Sequence, residues 1–137
     1  MSNFVYSKFK NSLLSGQINL ISNTVKVKLL NNSYVQNQTS HEFVSDIPSN
    51  CIEASSNALT NKIILNNSFT ADDIVIENYN GNGFKSLVLY IDTGSSSTSK
   101  LIAYVDNATG LPFVNSLNTT VDITIVWSDE LTGILSI

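Results

Sequence analysis

The hydrophobic pattern of this chain changes period once, near Thr24. Before that point apolar residues recur at helical spacing. Val5, Phe9 and Leu13 fall at i, i+4 and i+8, and Tyr6 and Leu14 widen the stripe. This predicts one short α-helix over about residues 3–15, capped by Ser2 or Asn3 and stopped by a left-handed Gly16. A helix so short is marginal alone and must lie on other structure. From Thr24 the period is two: Val25, Val27 and Leu29 point one way, while Lys26, Lys28 and Leu30 point the other.

Asn31-Asn32-Ser33 reads as a turn. The stretch from Tyr34 to Ser56 holds no sustained period. Thr39 and Glu42 have capping-box spacing, which predicts one helical turn over residues 39–45, ended by Pro48. Residues 51–54 read as a short strand. The second half is more regular, with strands expected over 59–65, 74–76, 85–92, 101–106, 120–127 and 133–137. Asn78-Tyr79-Asn80-Gly81-Asn82-Gly83, Thr93-Gly94-Ser95-Ser96-Ser97 and Asn107-Ala108-Thr109-Gly110 separate them with turn chemistry. Strands 85–92 and 100–106 should form a hairpin across the serine loop. About eight short strands with polar turns predict an all-β domain: an antiparallel two-sheet β-sandwich, jelly-roll-like, with the one N-terminal helix.

Composition narrows the function more than the fold. At 137 residues the chain is one domain, 1–137, large enough for a core without metal or disulfide. Its hydrophobic share is 42% but its charged share only 13%, about half the usual. There is no arginine, one histidine (His41) and one cysteine (Cys51), while Asn, Ser and Thr supply about a third of the residues. The net charge is −4. The lysines (Lys8, Lys10, Lys26, Lys28, Lys62, Lys85, Lys100) are scattered, a distribution that disfavours nucleic acid. No window reaches the length of a membrane span, and the opening decapeptide lacks the apolar run of a signal peptide. One cysteine forms no internal disulfide. Asn-x-Ser/Thr triplets begin at Asn31, Asn37, Asn66, Asn107 and Asn118, as expected by chance in so Asn-, Ser- and Thr-rich a chain.

Few residues are candidates for chemistry. His41, Cys51 and Asp46 have the types of a cysteine nucleophile, base and orienter, but no nucleophile turn surrounds Cys51. A buried cysteine acting as a small hydrophobe is the ordinary alternative. Asp72-Asp73, with Asp92 or Asp106, supply carboxylates for a cation without the Asp-x-Asp-x-Asp-Gly loop that calcium sites use. The glycines and aromatics from Asn78 to Phe84 suit a sugar-binding loop or, more simply, a flexible connection. Tyr79, Phe84 and Tyr34 are the residues a carbohydrate-binding module would use. Trp127, with Tyr90 and Tyr104, reads as aromatic packing in the core or between subunits. No catalytic, cofactor-binding or metal-binding residue is expected, and the chain reads as non-enzymatic.

Several segments, in order, resemble a family of small virion structural proteins of tailed bacteriophage. The opening carries Tyr6-x-x-Phe9-x-x-x-Leu13-Leu14-x-Gly16-x-Ile18-Asn19-Leu20, then Asn23-Thr24-Val25-Lys26-Val27-Lys28-Leu29-Leu30. Leu59-Thr60-Asn61-Lys62, Phe69-Thr70-Ala71-Asp72-Asp73-Ile74 and Leu89-Tyr90-Ile91-Asp92-Thr93-Gly94 follow. Ser99-Lys100-Leu101-Ile102-Ala103-Tyr104-Val105-Asp106 and Ile125-Val126-Trp127, then Gly133-Ile134-Leu135, complete the pattern. The stretch from Gln36 to Ser56 follows it least. The resemblance implies a capsid decoration (cement) protein that binds and stabilises the major capsid protein shell. A tail-, adaptor- or fibre-associated role is the competing implication. It further implies a place on the capsid exterior of a virion assembled in the bacterial host cytoplasm, while open sheet edges with few charges favour a homo-oligomer, dimer or trimer. The partner surface is expected to include one edge strand and the irregular 34–56 segment.

Overall fold

A computed structural model describes residues 3–116 and 119–127 and the backbone of 135–136. It is mostly β, with one helix and only antiparallel strand pairs. In chain order the elements are β1 (Phe4–Val5), α1 (Ser7–Leu14), β2 (Val25–Leu30), β3 (Ile52–Ser55), β4 (Ile63–Leu65), β5 (Ser68–Thr70) and β6 (Ile74–Tyr79). There follow β7 (Gly83–Phe84), β8 (Ser86–Ile91), β9 (Leu101–Val105), β10 (Phe113–Val114), β11 (Val121–Ile125) and β12 (Leu135–Ser136). Two 3₁₀ turns, Val44–Asp46 and Ser49–Cys51, lie between β2 and β3.

The main sheet has the order β1-β9-β8-β2-β3. Every residue of β8 is buried, so this strand is covered on both faces. Cross-strand registers explain how. Val27 lies opposite Leu89, which lies opposite Ala103, and Leu29 lies opposite Leu87: one face is aliphatic. The next rung, Phe4, Tyr104, Val88, Lys28 and Ser55, crosses all five strands on the other face. Phe4 stacks on Tyr104 there with ring centroids 5.1 Å apart. The predicted β8–β9 hairpin is present.

The remaining strands form a β12-β5-β4 ladder and two pairs, β6–β11 and β7–β10. Hydrogen bonding thus divides the described strands into four ladders where two sheets were expected. A register shift interrupts the β6–β11 pair between Val121 and Ile123, and several of the strands are only two or three residues long. The expected strand 59–65 contracts to β4, whereas 74–76 extends to Tyr79. Of the expected 133–137 strand, only 135–136 lie within the described residues.

The N-terminus departs from its expected form. Phe4 and Val5 pair with Tyr104 and Ala103 instead of starting the helix. The helix begins at Ser7 after an extended Tyr6, with no side-chain cap. Asn3 accepts the N–H groups of Asp106 and Asn107 at 2.9 and 3.0 Å, and Ser2 lies outside the described residues. The open edge of β9 offers unpaired backbone groups, and satisfying these while burying Phe4 against Tyr104 outweighs one more helical turn. Phe9 is buried and Leu13 partly so, but Leu14 is 86% exposed. Gly16 adopts the predicted left-handed conformation, φ +80°.

Lys26 at one end of β2 and Asp92 just past β8 form an ion pair of 2.7 Å. The ammonium, and then the Gly94 N–H, hold the Asp92 carboxyl below the usual carboxylate range. A depressed folded pKa adds stability at neutral pH that disappears as pH falls through it. Asp92→Asn is therefore expected to cost about 0.2–1 kcal/mol near pH 6, since the pair is partly solvated, and less at a pH well below the ordinary aspartate value of about 3.9. Urea midpoints of the two proteins at both pH values check this.

Candidate functional site

The irregular segment after Tyr34 sends several of its side chains into the core. Tyr34, Val44, Ile47 and Cys51 are all buried. The chain between them lies along the start of β9. Phe43 bridges to Lys100, Leu101 donates its N–H to the Glu42 carbonyl, and Val44 donates to the Ser99 carbonyl, both at 2.9 Å. Lys100 pairs with Glu42 at 2.8 Å and stands over the Phe43 ring. The helical turn expected over 39–45 forms later, at Val44–Asp46. Its organiser is Asp46, whose Oδ2 accepts the N–H groups of Glu42 and Phe43 at 2.8 and 2.9 Å. Asn37 rather than Thr39 caps the preceding turn, accepting the Thr39 and Ser40 N–H groups.

His41, Cys51 and Asp46 do not converge as a catalytic set. The His41 Nδ1 shares a 2.8 Å hydrogen bond with the Tyr34 hydroxyl, which in turn bonds the Tyr6 hydroxyl at 2.9 Å. Burial pushes the Tyr34 phenol up to about 12 and Tyr6 higher still, so both remain neutral hydrogen-bonding groups. For Asp46, burial works upward, but the Phe43 and Glu42 N–H bonds and nearby His41 leave it below its ordinary value. It is an ionised structural acceptor.

The carboxylates proposed for a cation are dispersed. Asp73 accepts the Trp127 N–H at 3.0 Å, Asp72 accepts from the Asn61 side-chain amide, and Asp92 faces Lys26. Among the described residues no three His, Cys, Asp or Glu side chains come together with metal-ligand geometry. Trp127 is buried beside the turn before β6, its indole N–H donating to the Asp72 carbonyl at 3.1 Å. Tyr90 and Tyr104 sit on β8 and β9 of the main sheet, whereas Trp127 follows the end of β11 and belongs to no strand.

The aromatics assigned to sugar contact are also inward. Tyr34, Tyr79 and Phe84 are 1%, 3% and 7% exposed, so none presents an open platform. Tyr79 donates to Glu53 Oε1 at 3.1 Å and accepts the Gly83 N–H at 2.9 Å, binding the 78–84 loop to β3. Sequence reasoning missed their partly exposed neighbour, Phe113, whose ring centroid is 5.2 Å from that of Phe84. Its short strand beside Pro112 carried no period to mark it.

The longest run of exposed large aliphatics within one described strand lies on β4. Ile63, Ile64 and Leu65 are 50%, 58% and 63% exposed, and no other strand among the described residues shows three consecutive large aliphatics this way. They pair inward with Thr70, Phe69 and Ser68 of β5, while the outer edge of β4 pairs with no described strand. Asn66 and Asn67, with φ +53° and +63°, make the two-residue turn that joins the strands. An Asn-Asn pair between two β-prone triplets was the overlooked signal. Phe69 is buried at 3%, so β5 anchors the hairpin and β4 projects from it. No protein-family model matches the chain, and no curated protein matches it. No helix of the described residues is long and apolar enough to cross a membrane.

Proposed function

We propose that this is a non-enzymatic assembly protein, a capsid decoration (cement) protein of a tailed bacteriophage, which stabilises a shell by docking β4 onto the major shell protein. The observation that carries the reading is the β4 edge. Three aliphatic side chains there stand beside a row of backbone donors and acceptors that pairs with no described strand. Exposed apolar edges are normally blunted with charge, because they template pairing with another chain. Here no charge lies within β4, and the flanking Lys62 ammonium bonds the Asn23 carbonyl. Strand addition to such an edge uses main-chain hydrogen bonds for affinity and alternate side chains for register.

The virion assignment rests on the resemblance of the segments around Phe9, Val25 to Leu30 and Leu89 to Gly94. In this reading the strands stack in two layers, sandwich-fashion, around the single buried cluster that runs from Tyr6 to Trp127. The perturbed groups described above are phenols and carboxylates spent on structure, consistent with a protein that works by contact. The irregular 34–56 segment serves as the lid of the core, and the partner surface narrows to the hairpin.

Purified DNA-free shells are expected to withstand higher temperatures when decorated with this protein than when bare. Ile64→Lys, which places a charge at the centre of β4, should weaken shell binding about 30-fold or more in co-sedimentation while leaving the isolated protein's unfolding midpoint nearly unchanged. Equal heat resistance of bare and decorated shells removes the stabilising role. Undiminished binding by the variant removes β4 as the surface.

A further inference from the structure

We infer that the cleft between the 31–33 turn, β3 and the β7–β10 pair binds a neutral pyranose sugar, independently of β4. The cleft measures about 410 Å³, within the ~300–1,000 Å³ range of small-molecule sites. Phe84 and Phe113, paired directly across the β7–β10 ladder, form an aromatic wall with their rings inclined by 33°. Phe113 is only partly buried, so the wall opens to the cleft on its side.

Glu53 also lines the cleft, and its carboxylate is held in place. Oε2 accepts from Asn31 Nδ2 at 2.9 Å and Oε1 from the Tyr79 hydroxyl at 3.1 Å. Asn31 is itself anchored to the Asn50 carbonyl at 2.8 Å. Each carboxylate oxygen keeps a lone pair for a further donor. At the rim, the side-chain amides of Asn32 and Asn82 make no hydrogen bond to any described residue, and both are exposed.

A pyranose has one face of C–H groups and a girdle of hydroxyls that donate and accept. The phenyl wall suits the first, and the fixed carboxylate with two free amides suits the second. Phosphorylated or carboxylated ligands are disfavoured because no lysine lines the cleft and Glu53 repels them. Close backbone packing builds the shape. A Cβ on Gly81 would come within 2.5 Å of both Glu53 Oε1 and the Tyr79 hydroxyl. The loop from Asn78 to Phe84 thus contributes Asn82 and Phe84 to a sugar site whose open aromatic is Phe113.

The test is saturation-transfer NMR on the intact protein with the methyl glycosides of glucose, galactose, mannose and N-acetylglucosamine at millimolar concentration. At least one glycoside should receive saturation on its C–H face. Its affinity should fall about tenfold or more in Phe113→Ala and in the Asn32→Ala/Asn82→Ala double variant. The exposed amides should be removable without loss of folding, checked by the unfolding midpoint, which keeps the test valid if Phe113→Ala is unstable. Ile64→Lys should bind the glycoside as the parent does, so failure of shell binding and failure of sugar binding are separable. No transfer to any glycoside, or transfer that survives the double variant, would overturn the assignment.

Discussion

Tyr34→Ala is expected to lower the unfolding free energy by about 3–5 kcal/mol, the range for removing a large buried aromatic. Tyr34 is 1% exposed, lies 5.9 Å from the Tyr104 ring, and links Tyr6 to His41 through its hydroxyl. Tyr34→Phe keeps the ring and should cost about 1–3 kcal/mol, because two polar partners lose their bridge. Val35→Ala, one residue on and 78% exposed, should change stability by no more than about 0.5 kcal/mol. Urea unfolding of the three variants decides whether the irregular segment is core. If Tyr34→Ala resembles Val35→Ala, the segment is a surface loop.

The same burial carries a pH consequence. A phenol whose folded pKa is raised releases its proton more easily once unfolded. Stability is therefore intact below the ordinary tyrosine value of about 10 and declines as pH rises toward the folded value. With Tyr34 at about 12, the decline should be visible between those limits, and shallower in Tyr34→Phe.

Gly83→Ala should be nearly as damaging, about 2–5 kcal/mol, for a different reason. Gly83 has φ +140°, a region closed to side chains, and an added Cβ would strike the backbone carbonyl of Phe113. Neither obstacle can swing aside, since the carbonyl belongs to the strand paired with Gly83 itself. Backbone strain contributes about 1–3 kcal/mol and the steric conflict a comparable amount. Gly94→Ala is the control: φ is +88° but nothing lies within 4 Å of the added Cβ, so only strain remains, about 1–2 kcal/mol. Equal denaturation midpoints for the two variants would show that β10 does not press on Gly83.

Regular stretches were legible where a strand is long enough to repeat its pattern. Val25 to Leu30, Leu87 to Ile91 and Val121 to Ile125 each declared a period of two, and each is a strand. Phe4–Val5, Gly83–Phe84 and Phe113–Val114 are too short for any period, so pairing partners alone make them strands. Val5 illustrates the competition. It fits the helical stripe with Phe9 and Leu13, yet the edge of β9 claims it. His41, Asp46 and Cys51 showed the right residue types for chemistry, but types carry no distances. In the fold His41 bonds the Tyr34 hydroxyl, Asp46 accepts two backbone N–H groups, and Cys51 is buried in the core.

The order of residues by itself determined a mostly β chain with one helix near its start, a left-handed Gly16, the β8–β9 hairpin and a low-charge exterior. These follow from local periodicity and turn stereochemistry, which act between residues close in sequence. Only the tertiary structure decided that Tyr34 is core while Ile64 stands in solvent, and that Phe113 meets Phe84 beside Glu53. Both matters depend on which surfaces are covered once distant strands pair. An apolar residue looks the same in sequence whether a neighbour covers it or not.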